Sequence, residues 1–472
     1  MRIPLVISTL VARSAGAGSR LSRKGGGTTL PGRVLNALDP GASARLARRL
    51  EQGSAIISAT NGKTTSAAMT AAILASRYRL AGNPAGANLS SGVATALLHT
   101  RGAELGLFEV DEAALPRVAE ALKPRALCLG NLFRDQLDRY GELEMLAERW
   151  RGVVAGLAVG STLIVNEDDP QLAQLARGRA GVIRFGIEDA RHGGPLPHAA
   201  DARYCSACGV AYDYRLAYVG HLGEYSCPGC GFERSKPDIW AEAITLEGLT
   251  GSSFQLHLPQ ETLSVRLGLP GLYNVYNALA AAALGHALGA RADEIAGGLE
   301  STEAAFGRSE RIAIGEKELL LLLIKNPTGA NEVVRTIVAS GTPKTLVIAL
   351  NDRIADGQDV SWIWDVDFEP LLGGLERLIA SGGRAAELAL RFKYAGFPES
   401  QIEVVPPPAE ALDRGLELTD AIGELVICPT YTAMLELQGV LAERGHADRY
   451  WQRAARAREE SGLPRKPARK PK

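Results

Sequence analysis

The segment 58–65 reads SATNGKTT, in which a glycine, a lysine and two threonines follow one another directly. Gly62 lets backbone amides approach a phosphate closely, Lys63 supplies a positive charge for the terminal phosphates, and Thr64 stands where a hydroxyl binds Mg²⁺. The pattern is shorter than the common phosphate-binding motif G-x-x-x-x-G-K-[ST], because Ala59 replaces the first glycine. The alternative is a glycine-containing turn before an ordinary helix. The apolar run before the motif and the Ala-rich run after it predict strand, turn and helix, which favours nucleotide binding. The predicted nucleotide-binding residues are Thr60, Asn61, Gly62, Lys63, Thr64 and Thr65.

A second apolar run, LGLFEVDE at 105–112, predicts a strand that ends in three carboxylates. Acids at the carboxyl end of a strand lie near the nucleotide in open α/β sheets. We therefore expect Glu109 to bind Mg²⁺ together with Thr64. Asp111 and Glu112 are either further ligands or solvated loop acids.

Four of the six cysteines form two pairs, Cys205 with Cys208 and Cys227 with Cys230, separated by 18 residues. This spacing falls within the C-x₂-C-x₁₅₋₂₀-C-x₂-C pattern of a zinc site. Four thiolates fill a tetrahedral site and leave no open position, so the expected role of Zn²⁺ is structural. Disulfides are the alternative, but the expected reducing compartment disfavours them.

The segment 269–277 opens a predicted Ala-rich helix, residues 278–288, and two asparagines of this segment, Asn274 and Asn277, are expected to project from the first turn. Their amide groups could hydrogen-bond to a nucleotide base, and for one of them capping of the helix is an equal alternative.

Composition bounds the class of protein. The chain has 472 residues, 46% of them hydrophobic, and a net charge of −1, so we expect about three domains and no attraction to nucleic acid. The inserted cysteine segment mixes four basic with five acidic residues and has no basic face. No apolar run of about 18 residues predicts a transmembrane segment, and a cytoplasmic protein is expected. The isolated Cys128 and Cys428 are expected to be inert core residues.

Apolar strand patterns alternating with helices predict a doubly wound, mainly parallel sheet. The four expected divisions of the chain are a helical segment packing on the central domain (1–50), a central nucleotide-binding domain (51–303, with the cysteine insert at about 200–236), a smaller α/β domain (304–460), and a basic disordered tail (461–472). Two tryptophans, Trp362 and Trp364, stand in an acidic segment of the smaller domain, where they either mark a partner surface or fill the core.

These motifs occur in the order seen in the Mur ligases, and the chain resembles that family. The residues that carry the resemblance are the phosphate loop, Glu109, Asn131 with Asp135 and Asp138, the segment 166–170, Asn274 with Asn277, and Arg308 after Gly307. The four-cysteine insert and the segment DVSWIWD (359–365) make it most similar to the MurT family. The resemblance implies a Mur ligase-like central P-loop ATPase domain with a Cys₄ zinc ribbon, plus a smaller Rossmann-like C-terminal domain.

The resemblance also implies an activity. Such a ligase transfers the γ-phosphate of ATP to the α-carboxylate of D-glutamate in the lipid II stem peptide, and ammonia attacks the acyl phosphate to give D-isoglutamine. By this analogy Lys63 steadies the γ-phosphate, Thr64 and Glu109 hold Mg²⁺, and the adenine lies at Asn274 and Asn277. Arg308 is an expected nucleotide contact.

Ammonia would come from a separate GatD-type glutamine amidotransferase, in a heterodimer that works at the inner face of the membrane. The C-terminal domain docks this partner, and an Asp of that domain orients the partner's catalytic His. Asp352 is the first choice for this role and Asp356 the second.

This sequence departs in two places from the Mur enzymes that add amino acids. Gln136 stands where they often have His, which leaves a second magnesium open, and the absence of lysine between Lys123 and Lys236 removes the lysine they carbamylate. Both departures are consistent with ammonia, in place of an amino acid, as the acceptor. The alternatives are a folylpolyglutamate synthase-like or other Mur-type amide ligase that needs no partner, and a non-catalytic module that binds nucleotide.

Overall fold

The computed structural model describes residues 4–21, 29–83, 86–100, 102–135, 143–302 and 308–447. In these ranges the chain forms two α/β domains, each built on its own sheet, and a short hairpin. None of the described helices is both long and apolar enough to cross a membrane.

The larger sheet has nine strands in the order β11-β10-β9-β6-β5-β4-β1-β3-β2. Its strands are β1 (Ser54–Ser58), β2 (Leu80–Gly82), β3 (Leu105–Glu109), β4 (Ala126–Leu129), β5 (Thr162–Asn166), β6 (Val182–Ile187), β9 (Ile239–Leu246), β10 (Ser252–His257) and β11 (Thr262–Leu267). The six strands β1 to β6 pair in parallel, and β9 to β11 form an antiparallel edge. The mainly parallel sheet predicted from the sequence is therefore present.

The hairpin β7 (Asp213–Val219) and β8 (Leu222–Ser226) lies between β6 and β9 in the chain and forms a separate two-stranded sheet. It belongs to the cysteine insert. The chain then re-enters the large sheet, because β9 pairs in parallel with β6.

Helices cover both faces of the large sheet, so the residues of β1 are buried along its whole length. The helices are α1 (Leu5–Leu21), α2 (Leu30–Leu38), α3 (Ala42–Ala47), α4 (Lys63–Leu74), α5 (Ser90–Leu97), α6 (Leu115–Leu122), α7 (Leu143–Ala155), α8 (Pro170–Leu175), α9 (Leu272–Ala287) and α10 (Ala292–Glu300). One core joins α4 and α9 to the sheet around Met69 and Ala278, and a second joins α5, α6 and α7 around Phe108 and Trp150. The first three helices lie on the second side, where α1 packs on α2 and α2 packs on α5.

The smaller sheet has six strands in the order β12-β13-β17-β14-β15-β16. Its elements are β12 (Arg308–Ile314), β13 (Lys317–Leu322), α11 (Pro327–Ser340), β14 (Thr345–Ala349), β15 (Arg377–Ser381), α12 (Ala385–Tyr394), β16 (Ile402–Val404), α13 (Pro408–Leu418), β17 (Glu424–Pro429) and α14 (Tyr431–Glu443). All its strand pairs are parallel except β12 with β13. The two tryptophans differ in their surroundings. Trp362 packs on the domain core, as one alternative predicted, whereas Trp364 is 47% exposed and lies at the surface.

Candidate active site

The phosphate loop connects β1, which lies between β4 and β3 in the large sheet, to α4. Gly62 has a φ of +84°, and α4 begins at the next residue. A Cβ atom at Gly62 would lie 1.8 Å from Oδ1 of Asn277 on α9. Both the left-handed backbone and the close approach of α9 therefore require glycine at this position.

Lys63 lies in the first turn of α4 and is buried. Its Nζ donates to the backbone oxygen of Ala59 at 2.8 Å and to Oε2 of Glu112 at 2.7 Å. Burial alone would lower the pKa of Lys63, but the carboxylates of Glu112, Asp111 and Glu109 outweigh it and raise that pKa. Burial in turn acts to raise the pKa of Glu112, yet the positive charge of Lys63 leaves it lowered. Both groups are charged, and their charges neutralise each other.

Thr64 and Glu109 lie side by side, as the sequence predicted for a magnesium pair. The Thr64 hydroxyl donates to Oε1 of Glu109 at 2.9 Å. Asn83 fixes the end of β3, because its side chain bonds to both the backbone nitrogen and the backbone oxygen of Glu109. A hydroxyl and a carboxylate are hard oxygen donors, so this pair fits Mg²⁺.

The two carboxylates that follow Glu109 are not solvated. Glu112 is 2% exposed and pairs with Lys63, and Asp111 is 7% exposed. Oδ1 of Asp111 accepts a hydrogen bond from the backbone nitrogen of Ala113 at 3.1 Å, which fixes the turn after β3. Of the two alternatives left open for these acids, the solvated loop is therefore wrong for both residues.

Asn274 and Asn277 form a small hydrogen-bonded unit at the start of α9. Nδ2 of Asn277 donates to Oδ1 of Asn274 at 2.9 Å, and Nδ2 of Asn274 donates to the backbone oxygen of Pro270 at 2.7 Å. Asn274 therefore holds the chain that enters α9, but the helix-capping alternative is wrong, because Gly271 is the N-cap of α9 and no side chain caps this helix. Asn277 instead faces the phosphate loop at Gly62.

The C-terminal domain contributes two residues to the phosphate loop that the sequence analysis did not select. Lys325 donates from Nζ to the backbone oxygen of Thr60 at 2.9 Å and forms an ion pair with Asp135. Asn326 exchanges two side-chain hydrogen bonds with Asn61, at 2.9 and 3.2 Å. The available signal was their position directly after the apolar run of β13, where polar residues at a strand end often face a ligand.

A pocket opens beside the loop, between the two domains. Apolar and aromatic side chains form much of its wall, and a few polar groups converge on it, as in most small-molecule sites. Its lining includes Gly62, Asn277, Phe133, Leu269, Tyr273 and Lys325. The pocket is therefore the candidate small-molecule site beside the phosphate loop.

The four cysteines of the insert converge. Their sulfur atoms all lie within 4.8 Å of one another, with 3.7 Å between Cys205 and Cys230 and 3.4 Å between Cys208 and Cys227. All four cysteines are free thiols, so the disulfide alternative is wrong. Each pair ends in a glycine with positive φ, Gly209 at 75° and Gly231 at 70°, whose amide bonds back to the first cysteine of its pair.

The insert is fastened to the large domain by Arg234. This side chain donates to Asp168 at 2.7 Å, to Glu188 at 2.7 Å and to the backbone oxygen of Ile187. Asp168 is buried at the carboxyl end of β5 and also accepts from the hydroxyl of Tyr276 on α9 at 2.6 Å. The acidic segment 166–170 thus supports the insert rather than facing solvent.

Asp352 and Asp356 lie at the end of β14 in different surroundings. Asp352 is about a third exposed, pairs with Nε of Arg384 at 2.8 Å and borders a surface cavity. Asp356 is buried and accepts hydrogen bonds from the backbone nitrogen and the hydroxyl of Thr432. Only Asp352 is accessible to a partner.

The structure provides less information on three other positions that the sequence analysis selected. Arg308 begins β12, but its side chain lies outside the described part of the structure. Gln136 and Asp138 also lie outside the described residues. Their expected roles stay predictions.

Comparison with known proteins agrees with this arrangement. The family model for the Mur ligase middle domain matches residues 57–204, and the model for the MurT ligase C-terminal domain matches residues 323–434. The chain is 34% identical over 451 residues to the lipid II isoglutaminyl synthase (glutamine-hydrolyzing) subunit MurT of Streptococcus pneumoniae, covering 93% of this chain and 98% of that protein. It is 30% identical to the protein of the same name from Staphylococcus aureus, covering 86% and 91%.

A solved structure shows the same fold. A pseudomurein peptide ligase type C from Methanothermus fervidus superposes with a TM-score of 0.67 at 23% identity, covering 85% of this chain and 80% of that one. The Mur ligase-like α/β fold, with a central and a C-terminal domain, is therefore confirmed, and so is the resemblance read from the sequence. The chain belongs to the MurT family of Mur ligase-like proteins.

Proposed function

We propose that this chain is the ligase subunit of a lipid II isoglutaminyl synthase. It transfers the γ-phosphate of ATP to the α-carboxylate of D-glutamate in the lipid II stem peptide and releases ADP. Ammonia then attacks the acyl carbon and displaces phosphate, which gives D-isoglutamine. The observation that carries the proposal is the phosphate loop with Lys63, Thr64 and Glu109, beside an interdomain pocket, in a MurT family member. Family membership supports the choice of lipid II and of ammonia as acceptor.

The residues of the site take roles that their contacts support. Lys63 and Lys325, which pair with Glu112 and Asp135 in this structure, would each offer a positive charge to the phosphates during phosphoryl transfer. Thr64 and Glu109 would hold Mg²⁺, which would supply positive charge to stabilise the phosphoryl group in transfer. Asn277 and Asn274 would face the adenine and keep α9 against the loop. Arg308 remains a proposed nucleotide contact.

Ammonia would be supplied by a GatD-type glutamine amidotransferase that docks on the C-terminal domain. Asp352 is the proposed residue that orients the partner's histidine, because a carboxylate holds the tautomer of an imidazole and stabilises its charged form. Its exposure supports this role, whereas Asp356 is fully engaged with Thr432. The proposed working position is the inner face of the membrane, where lipid II is accessible.

The cysteine cluster is proposed to hold a structural Zn²⁺ in a ribbon of residues about 200–236. Four sulfurs around Zn²⁺ at about 2.3 Å stand roughly 3.8 Å apart, close to the separations found here. The four expected divisions of the chain, at 1–50, 51–303, 304–460 and 461–472, also stay proposals.

The experiment that tests the function combines the purified chain with lipid II, ATP and Mg²⁺, and follows amidation by mass spectrometry. With glutamine as nitrogen source, product should form only when the amidotransferase subunit is present. With a high concentration of ammonium salt, the chain alone should form it. Glutamine hydrolysis by this chain alone, or addition of an amino acid in place of ammonia, would instead support a ligase that needs no partner.

A further inference from the structure

Helix α1 presents an apolar face to solvent. Its side chains Val6, Ile7, Leu10 and Val11 are 65%, 51%, 57% and 45% exposed. At about 100° per residue they cover one continuous arc of roughly 140° on the helix. The opposite side packs on the protein, because Ser8 and Ala12 are fully buried and α1 lies against α2. The helix is thus fixed along one side and uncovered along the other.

The same part of the chain is strongly basic. Residues 1–50 contain nine lysines and arginines but only one acid, Asp39, which gives a net charge of +8 in a chain whose total is −1. Arg13 on α1 and Arg33 on the neighbouring α2 are exposed. Asp39 is buried and paired with Arg45, so it offers little compensation at the surface.

We propose that the exposed face of α1 (Val6, Ile7, Leu10 and Val11) is the surface by which this chain lies on a bilayer containing anionic lipids. An uncovered apolar helix face in a strongly basic segment is the pattern of a helix that inserts shallowly at the boundary between headgroups and acyl chains. The helix has 17 residues and is held by α2, so it lies along the surface rather than spanning the bilayer.

This inference rests on the proposed function in one respect, since a lipid-linked substrate gives the bilayer a reason to be the occupant. The charge supports the same choice. A bilayer with anionic headgroups complements a segment of net charge +8, whereas a second copy of the same face would repel it.

The test is co-sedimentation of the full chain, alone and with its amidotransferase subunit, with vesicles of equal parts phosphatidylglycerol and phosphatidylcholine. The test variant carries Val6→Gln, Ile7→Gln, Leu10→Gln and Val11→Gln, because glutamine is polar and favours helix. The control carries Val159→Ser and Ile422→Ser, two exposed apolar residues that do not belong to α1. We expect the test variant to bind at least about tenfold more weakly than the wild type and the control to bind like the wild type.

Equal binding by the wild type and the test variant, or no binding by the wild type, would overturn the proposal. So would a wild-type dimer in light scattering that the test variant abolishes, or loss of the amidotransferase subunit from the test variant. Amidation separates this outcome from the proposed function. The test variant should act like the wild type on a water-soluble stem-peptide fragment and lose activity only on lipid II in vesicles. Inactivity of the wild type on both substrates would instead contradict the function, while leaving the vesicle result to decide the surface.

Discussion

Nζ of Lys63 lies 2.7 Å from Oε2 of Glu112, and both side chains are enclosed by the protein. The two charges compensate each other where neither is solvated. Removal of one partner therefore leaves a buried charge unpaired, which costs about 3–5 kcal/mol of stability. The lysine thus has a structural role in addition to the proposed role at the phosphates.

Two variants separate these roles of Lys63. Lys63→Met should lower the free energy of unfolding by about 3–5 kcal/mol and abolish amidation of lipid II. The double variant Lys63→Met with Glu112→Gln should recover most of that stability, because no unpaired charge remains, but should stay inactive. Chemical denaturation and product analysis by mass spectrometry measure the two effects, and capture of the amidotransferase subunit should be unchanged. Amidation by the stable double variant would exclude the assigned role of the lysine.

The Thr64–Glu109 pair predicts how the enzyme depends on magnesium. Glu109→Gln keeps the shape of the side chain but removes the charge, so the Mg²⁺ concentration for half-maximal activity should rise at least about tenfold. Thr64→Ser keeps the hydroxyl and serves as the matched control, with little change expected. A Mg²⁺ titration of the initial rate at fixed ATP provides the measurement. An unchanged titration in Glu109→Gln would place the metal elsewhere.

The cysteine cluster predicts one Zn²⁺ per chain. Cys208→Ser should lose that zinc and lower the melting temperature, because the insert has only a small aromatic core, around Tyr212 and Tyr225, to hold it without metal. Ser206→Ala lies in the same knuckle without a thiol and should keep both the metal and the stability. Metal analysis of the purified chain and thermal unfolding test this. A full complement of zinc in Cys208→Ser would place the metal at another site.

Local order along the chain explains why much of this site could be predicted from the sequence. Gly62, Lys63 and Thr64 are neighbours, and their chemistry depends on a strand, a turn and a helix that the same residues encode. The spacing of the four cysteines along the chain was enough to predict that their sulfur atoms come together. Glu109 was identified because strand ends in a parallel sheet face one edge.

The residues that were missed act across long sequence distances. Lys325 and Asn326 reach Thr60 and Asn61 only because the C-terminal domain folds back on the loop, and their contacts span 265 residues. Glu112 was left open between ligand and solvated acid because its pairing with Lys63 depends on the path of the loop after β3. Such contacts come from the packing of domains and loops, and a periodic pattern does not record them.

Glu332 on α11 predicts a pH dependence of stability. Burial raises its pKa from 4.5 to about 7, although Nη1 of Arg335, at 2.8 Å, opposes the shift. The folded state therefore holds a proton that the unfolded state releases between about pH 4.5 and pH 7. The stabilisation is complete below that window and is lost as the pH rises through it, by up to about 3 kcal/mol.

Glu332→Gln should consequently be more stable than the wild type at pH 8, with the difference disappearing near pH 4.5. The exposed Glu443→Gln on α14 is the control and should match the wild type at both values. Urea denaturation at several pH values gives the free energies of unfolding. A constant difference across the range would mean that Glu332 does not take up a proton on folding.

Asp352 and Asp356 are four residues apart, but their substitution should have different effects, on glutamine-dependent activity for Asp352 and on stability for Asp356. Asp352→Asn removes the exposed carboxylate, so glutamine-dependent amidation should fall at least about tenfold while amidation with free ammonium salt is kept, because only the partner's histidine is affected. Asp356→Ala breaks the hydrogen bonds to Thr432 and should lower stability by about 1–3 kcal/mol. Rates with the two nitrogen sources, measured with the amidotransferase subunit present, separate the cases. An equal loss with glutamine and with ammonium in Asp352→Asn would assign this residue to the ligase reaction itself.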